Sequence, residues 1–203
     1  MKNLLIATGN AGKVREFAAL FSDRGVKLYS MKDFPALLPA VEDCSTFAGN
    51  ALKKASAASR QSGLPAIADD SGLCVDALDG KPGVLSARYA GEGADDETNN
   101  LKLLNELTAV PMGKRQAAFR CSIAFCTPEG FEASFEGELR GLILEKPSGS
   151  GGFGYDPLFM VPEYGKTLAE LPLEIKNRIS HRGRAAEALK SYLVKNGFLQ
   201  SKA

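Results

Sequence analysis

The sequence predicts an α/β fold with a mixed sheet, and three observations carry that expectation. Near the N-terminus, short apolar runs alternate with segments of helical spacing. Further along, two long strand-like runs flank a turn signal. The chain has 203 residues, 44% of them hydrophobic and 24% charged, the make-up of a globular protein with a core to bury.

The elements follow in order. Leu4 to Thr8 is an apolar run closed by Gly9-Asn10 and reads as a buried strand. Lys13 to Phe21 places Val14, Phe17, Ala18 and Phe21 at helical spacing, so the chain opens strand, glycine-containing turn, helix. Val26 to Tyr29 is a second strand. Pro35 to Ser45, with two prolines and several acidic residues, is a loop. Ser45 or Thr46 caps an alanine-rich helix that runs to about Gln61 and ends at Gly63. Ala66 to Ala68 is a short strand expected to stop at Asp69-Asp70-Ser71-Gly72. Thr98 to Leu107 is helical. Ala117 to Cys126 and Phe131 to Leu139 form a hairpin about Thr127-Pro128-Glu129-Gly130. Gly149 to Gly154 is a glycine-rich loop, and Ser180 caps a last helix ending near Asn196-Gly197.

Composition narrows the partners. The formal net charge is +1, without the excess of Lys and Arg that a nucleic-acid groove needs. A small anion needs only a few local cations. The four cysteines, Cys44, Cys74, Cys121 and Cys126, form no C-x-x-C pair, and His181 is far from them in sequence, so a structural zinc site is not expected. The apolar run after Met1-Lys2-Asn3 is too short for a signal peptide, and no stretch is long enough to span a membrane. The expectation is a cytoplasmic protein with reduced thiols.

Several constellations could carry chemistry. Thr8-Gly9-Asn10-Ala11-Gly12-Lys13 joins a strand to a helix N-terminus, where free N–H groups, the helix dipole and Lys13 would suit phosphate. It lacks the Walker A pattern, and taken alone a plain βα turn with a solvated lysine is the commoner account of it. Asp69-Asp70 offers hard oxygens for Mg²⁺ and a base for water, or else a turn and cap. On an extended segment the two carboxylates would point to opposite sides; a bend at Ser71-Gly72 would bring them together. Glu42 precedes a helix on which Asn50, Lys53 and Lys54 share a face, a pattern also shown by any solvated helix. Phe153 and Tyr155, set among glycines beside Asp156-Pro157, could stack on a base or simply dock on the core. Lys176, Arg178, His181 and Arg182 make a basic approach to the last helix, where positive charge opposes the dipole.

Taken in order, these segments resemble the inosine triphosphatase family of non-canonical purine nucleoside triphosphate pyrophosphatases. The resemblance rests on Thr8-Gly9-Asn10 with Lys13, Ala66-Ile67-Ala68-Asp69-Asp70-Ser71-Gly72-Leu73, Ser86-Ala87-Arg88-Tyr89-Ala90-Gly91, Phe153-Gly154-Tyr155-Asp156-Pro157 and Ser180-His181-Arg182, and so spans essentially the whole chain. It implies a single domain over residues 1–203 with two lobes, an elongated mixed sheet flanked by helices, and a nucleotide cleft between the lobes. It also implies a homodimer, dependence on Mg²⁺, and hydrolysis of ITP, dITP and XTP to monophosphate and pyrophosphate. By position, Thr8, Gly9, Asn10 and Lys13 would hold phosphates, with Lys53 a further candidate. Glu42 and Asp69 would bind the metal together with Asp70, which would also be the general base. Ser71 would contact substrate, and Phe153, Gly154, Tyr155, Asp156, Lys176, His181 and Arg182 would surround the base. The chain departs from the family where Glu-Asn is often found: here it has Gly49-Asn50. Leu85 stands where an aromatic often does. A Maf-type nucleotide pyrophosphatase and a non-catalytic nucleotide-binding module are the competing expectations. The Ser180-His181-Arg182 element argues against the first, and the Asp69-Asp70 pair against the second.

Overall fold

The computed structural model describes residues 1–22 and 25–200. Seven strands form one mixed sheet in the order β2-β1-β3-β4-β5-β6-β7. These are β1 (Asn3–Ile6), β2 (Lys27–Ser30), β3 (Ala66–Val75), β4 (Gln116–Cys126), β5 (Glu132–Ile143), β6 (Phe159–Val161) and β7 (Lys166–Thr167). β1 runs parallel to both β2 and β3, whereas β6 runs antiparallel to β5 and β7. The helices are α1 (Ala11–Phe21), α2 (Phe47–Ser62), α3 (Asp96–Glu106), α4 (Leu173–Ile179) and α5 (His181–Lys195). No helix among the described residues is long and apolar enough to cross a membrane.

The chain divides into two compact units, and β3, β4 and β5 each pass from one to the other. The first holds Met1–Asp70, Cys121–Gly137 and His181–Ala203. Its part of the sheet is covered on both faces, and strand alternation decides what meets what. Leu4, Ile6, Ile67, Cys121, Ile123 and Phe125 pack with Phe17 and Phe21 of α1 and Ala185, Leu189 and Leu193 of α5. Leu5, Ala7, Ala66, Ala68 and Ala124 meet Ala51, Ala55 and Ala58 of α2. That second layer is nearly all alanine, which explains the alanine-rich run in the sequence: small side chains on both partners let α2 lie close to the sheet. Thr46 caps α2 by accepting from Gly49 N–H, and Gly63, at φ +68°, closes it.

The second unit holds Ser71–Arg120 and Glu138–Ser180. Its core gathers Leu73 and Val75 of β3, Leu103 of α3, Phe119 of β4, Leu139 and Ile143 of β5, and Phe159 of β6, with Tyr155 and Leu158 from the segment before β6.

The structure corrects two expectations and adds three short elements. β3 does not end at Ala68 but continues through Asp69-Asp70-Ser71-Gly72 to Val75. α3 starts at Asp96, two residues before the expected Thr98, because Asp95 caps it by accepting from Thr98 N–H. The seven-residue α4 follows Pro172, and β6 and β7 have three and two residues; none is long enough to show a period in sequence.

Close approach fixes one glycine in β5. A Cβ at Gly137 would lie 2.1 Å from the His181 carbonyl oxygen and 2.7 Å from Ala185 N. Both are backbone atoms of the first turn of α5, so neither can give way cheaply. Gly137→Ala should therefore destabilise by about 1–3 kcal/mol or more, seen as a lower Tm in thermal unfolding. Gly113→Ala, where a Cβ meets nothing within 4 Å, should leave Tm nearly unchanged.

Candidate active site

The site in the first unit is built on the alternation of β3. Ile67 faces α1 and α5, while Ala66 and Ala68 face α2. With the strand still extended, Asp69 follows Ile67 and Asp70 follows Ala68. Two adjacent carboxylates thus enter two different environments.

Asp69 is 1% exposed and lies among cations. Its Oδ2 accepts from Arg182 Nε at 3.0 Å and Nη2 at 2.9 Å, and Lys13 Nζ lies 3.0 Å away. Arg182 also donates through Nη1 to Glu16 of α1. All three side chains are buried: Glu16 is 3% exposed and Arg182 2%. Burial pushes the Asp69 carboxyl up, but Lys13, Arg182 and Lys54 outweigh it and hold the group well below the usual carboxylate range. Burial works against the Arg182 charge too, and Asp69 and Glu16 overcome it, so the guanidinium stays charged. Cys121, with Sγ 4.0 Å from Asp69 Oδ2, is raised by burial and then by Asp69, which leaves it a protonated, unreactive thiol.

Asp70 faces the other way. Asn50 Nδ2 donates to its Oδ2 at 3.0 Å, and Lys54 Nζ donates to its Oδ1 at 3.3 Å. The same Lys54 Nζ lies 3.3 Å from Glu42 Oε2, so two carboxylates converge on one ammonium. Asn50 also ties down the loop that carries Glu42: it accepts from Cys44 N–H at 2.9 Å and donates to Cys44 O at 3.2 Å. Burial raises the Asp70 pKa, Lys54 and Asn50 oppose this, and Glu42 adds to the rise; the net shift is upward.

In the second unit the loop before β6 is held from several sides. Asp156 Oδ2 accepts from Phe153 N–H at 2.9 Å and from Lys176 Nζ at 2.6 Å, in a pair buried to 3% and 4% exposure. The Lys176 ammonium lies 4.8 Å from the Phe153 ring centroid. Tyr155 is buried and donates from Oη to Ser86 O at 2.8 Å. Gly152, at φ +76°, allows a close approach to this same carboxylate: a Cβ there would sit 2.1 Å from Asp156 Oδ2. The glycines therefore serve a fixed loop.

The expected site residues sort accordingly. Thr8 and Asn10 lie at the start of α1, where Asn10 is the cap, accepting from Gly12 N–H at 2.8 Å and Lys13 N–H at 3.1 Å, while Thr8 Oγ1 accepts from Asn10 N–H. Gly9 is exposed, with neither a left-handed φ nor a crowded Cα. Lys13 meets Asp69, Lys54 rather than Lys53 meets Asp70, and Lys53 pairs with Asp43 at 2.7 Å on the surface. The expected metal set included Asp69, but the extended strand turns it away from Glu42 and Asp70 and into the Lys13–Arg182 cluster. Arg182, expected to surround the base, donates to Asp69 and Glu16 in the first unit. His181, also in the first unit, opens α5 and is buried. Ser71 follows Asp70 on β3 and is partly exposed. A Cβ at Gly49 would lie 2.9 Å from Cys44 Cβ and 3.0 Å from Thr46 Oγ1, so the glutamate often found there would have to displace the loop. Glu16 escaped the sequence reading because its partner Arg182 is 166 residues away.

The frame of the site is thus a mixed α/β sheet that delivers Asp69 and Asp70 to opposite faces, with a lysine at each. The chain belongs to the Ham1 family, whose sequence profile it matches over residues 4–192. It is 60% identical over 193 residues to a dITP/XTP pyrophosphatase of Geobacter sulfurreducens, covering 95% of this chain and 97% of that one. It is 57% identical over 189 residues to a dITP/XTP pyrophosphatase of Geobacillus kaustophilus, covering 93% of each. Its fold matches the structure of a HAM1 protein from Coxiella burnetii with a TM-score of 0.86 at 41% identity, over 96% of this chain and all of that one (100%). The family resemblance drawn from the sequence holds along the chain.

The buried cluster makes a pH prediction. The Asp69 pKa is lowered in the folded protein, so its contribution to stability is present above its ordinary value of 3.8 and is lost as pH falls below it. Asp69→Asn should cost about 3–5 kcal/mol at neutral pH, because Arg182 stays buried with a partner missing. Denaturant unfolding at a series of pH values should show the gap between the two proteins closing as the wild type is acidified. A constant gap would refute the account.

Proposed function

We propose that the chain hydrolyses non-canonical purine nucleoside triphosphates, ITP, dITP and XTP, to the monophosphate and pyrophosphate, and so removes deaminated purines from the nucleotide pool. The observation that carries the reading is the geometry at Asp70: a buried carboxylate fixed by Asn50 and set beside Lys54 and Glu42. The names of the relatives at 60% and 57% identity support it.

Mg²⁺ is part of the proposal, and the residues fit it. Glu42 and Asp70 present hard oxygens on one side of β3, close enough together for the Lys54 ammonium to lie 3.3 Å from both. When bound by Glu42 and Asp70, Mg²⁺ would neutralise charge on the phosphates and the pyrophosphate leaving group.

The chain's own groups do the rest. Asp70 accepts the proton of the attacking water. Asn50 keeps its carboxylate in one orientation and keeps the Glu42 loop beside it. Lys54 and Lys13 supply positive charge against the phosphates, and Thr8, Gly9 and Asn10 form the turn that leads into α1, at the positive end of its dipole. Asp69, tied to Lys13 and Arg182, keeps Lys13 in place. In the second unit Phe153 gives the purine an aromatic face and Lys176 gives it donors. Hypoxanthine and xanthine carry an acceptor at position 6, where adenine carries a donor, so a donor there favours the deaminated bases; a buried polar mismatch can discriminate by about 10⁴-fold. A homodimer in the cytoplasm completes the reading.

A panel of nucleoside triphosphates with Mg²⁺, assayed for pyrophosphate, tests it. Release from ITP, dITP and XTP but little from ATP is expected; orthophosphate, or no product, would count against it. Asp70→Asn should turn over ITP roughly 10²-fold or more slowly. Lys54→Met should cut turnover well below that of Lys53→Met, and equal losses would remove Lys54 from the centre.

A further inference from the structure

α3 carries two consecutive aspartates at its start, and they do different things. Asp95 caps the helix: its Oδ1 accepts from Thr98 N–H at 2.8 Å and Thr98 Oγ at 2.6 Å. Asp96 is thereby spare for another task, and its Oδ2 accepts from Gly154 N–H at 2.6 Å, 58 residues away. One turn further on, Asn100 Nδ2 donates to Gly154 O at 3.0 Å. Residues i and i+4 share a helix face. A single face of α3 thus grips both polar groups of one residue.

That residue sits in a sensitive place. Gly154 has φ +60°, in the left-handed region, and lies between Phe153 and Tyr155. Its neighbours are fixed separately: Asp156 through Lys176 and Phe153 N–H, and Tyr155 through Ser86 O. The bonds from Asp96 and Asn100 fix Gly154 itself, and with it the direction in which Phe153 leaves the loop. Asn100 Oδ1 is buried with no hydrogen-bond partner among the described residues. A buried, unsatisfied carbonyl oxygen is costly, so its amide is held in this orientation at the expense of that oxygen.

We propose that Asp96 and Asn100 are positioning residues for base selection, which clamp Gly154 so that Phe153 is presented to the purine at one angle. The proposal rests on the function proposed above. Neither residue touches the reacting atoms; both act through the loop. Loss of the clamp should weaken binding of the purine and leave the chemistry at Asp70 unaltered.

The test compares wild type, Asp96→Ala, Asp96→Asn and Asn100→Ala by kcat and KM for XTP and ATP, with Tm measured alongside. Asp96→Ala should raise KM for XTP by about tenfold, the worth of one charge-assisted hydrogen bond, with kcat and Tm close to wild type. The ratio of kcat/KM for XTP over ATP should fall with it. Asp96→Asn, whose amide oxygen can still accept from Gly154 N–H, should recover most of the loss. An unchanged KM in Asp96→Ala, or an Asp96→Asn variant no better than the alanine, overturns the proposal. A wild type that releases no pyrophosphate from XTP overturns the functional reading and the role in base selection together. The clamp itself is read separately by amide exchange at Gly154: faster exchange in Asp96→Ala supports it, and equal exchange refutes it.

Discussion

Consecutive side chains on an extended backbone must point to opposite faces, and β3 meets this rule with two carboxylates in a row. Had the strand ended in a turn at Asp69, the two groups could have shared one environment. Because it continues to Val75, Asp69 is delivered to Arg182 and Lys13 and Asp70 to Asn50, Lys54 and Glu42. Burial raises the pKa of both, and the cations Lys13 and Arg182 outweigh it at Asp69, so the two move in opposite directions. One carboxylate becomes a permanent anion that organises the cations of α1 and α5. The other becomes a group that can take up a proton. Coverage of the strand on both faces is what allows this: each face needs its own helices, and each helix brings its own polar partners.

Much of this was legible in the sequence, though unevenly. The opening strand, α1, α2 and the long strands β4 and β5 carry clear periods, and Thr46 and Gly63 mark the ends of α2 within a residue or two. The opposite directions of Asp69 and Asp70 follow from strand geometry as soon as the strand is long enough. Its length was the part misjudged, since Asp-Asp-Ser-Gly is also turn chemistry; burial of nearly the whole strand overrides that local preference. Choosing between Lys53 and Lys54 needed the rotation of α2 about its axis, which the position of its alanine face on the sheet supplies. Glu16 and the sites of Arg182 and His181 depend on contacts between distant parts of the chain that no local pattern encodes.

The glycine-rich loop shows how a composition signal can mislead about mechanics. Glycines suggest mobility, yet Gly152 is present because the Asp156 carboxylate occupies the space where a side chain would be, and Gly154 because its φ is left-handed. Tyr155, which in sequence resembles a partner for Phe153 in stacking on a base, is a buried anchor bonded to Ser86 O. The segment is thus stiffened by the residues that look adaptable, and the ordering cost is met during folding rather than on meeting a ligand.

Arg182 has a further consequence, for how this sequence can vary. Its planar fork places Nε and Nη2 on Asp69 and Nη1 on Glu16, out of reach of water. A lysine offers one point charge and could not span both carboxylates. Nor could either acid be neutralised without stranding a buried charge. Positions 16, 69 and 182 are therefore coupled: the cost of a change at any one of them depends on what stands at the other two.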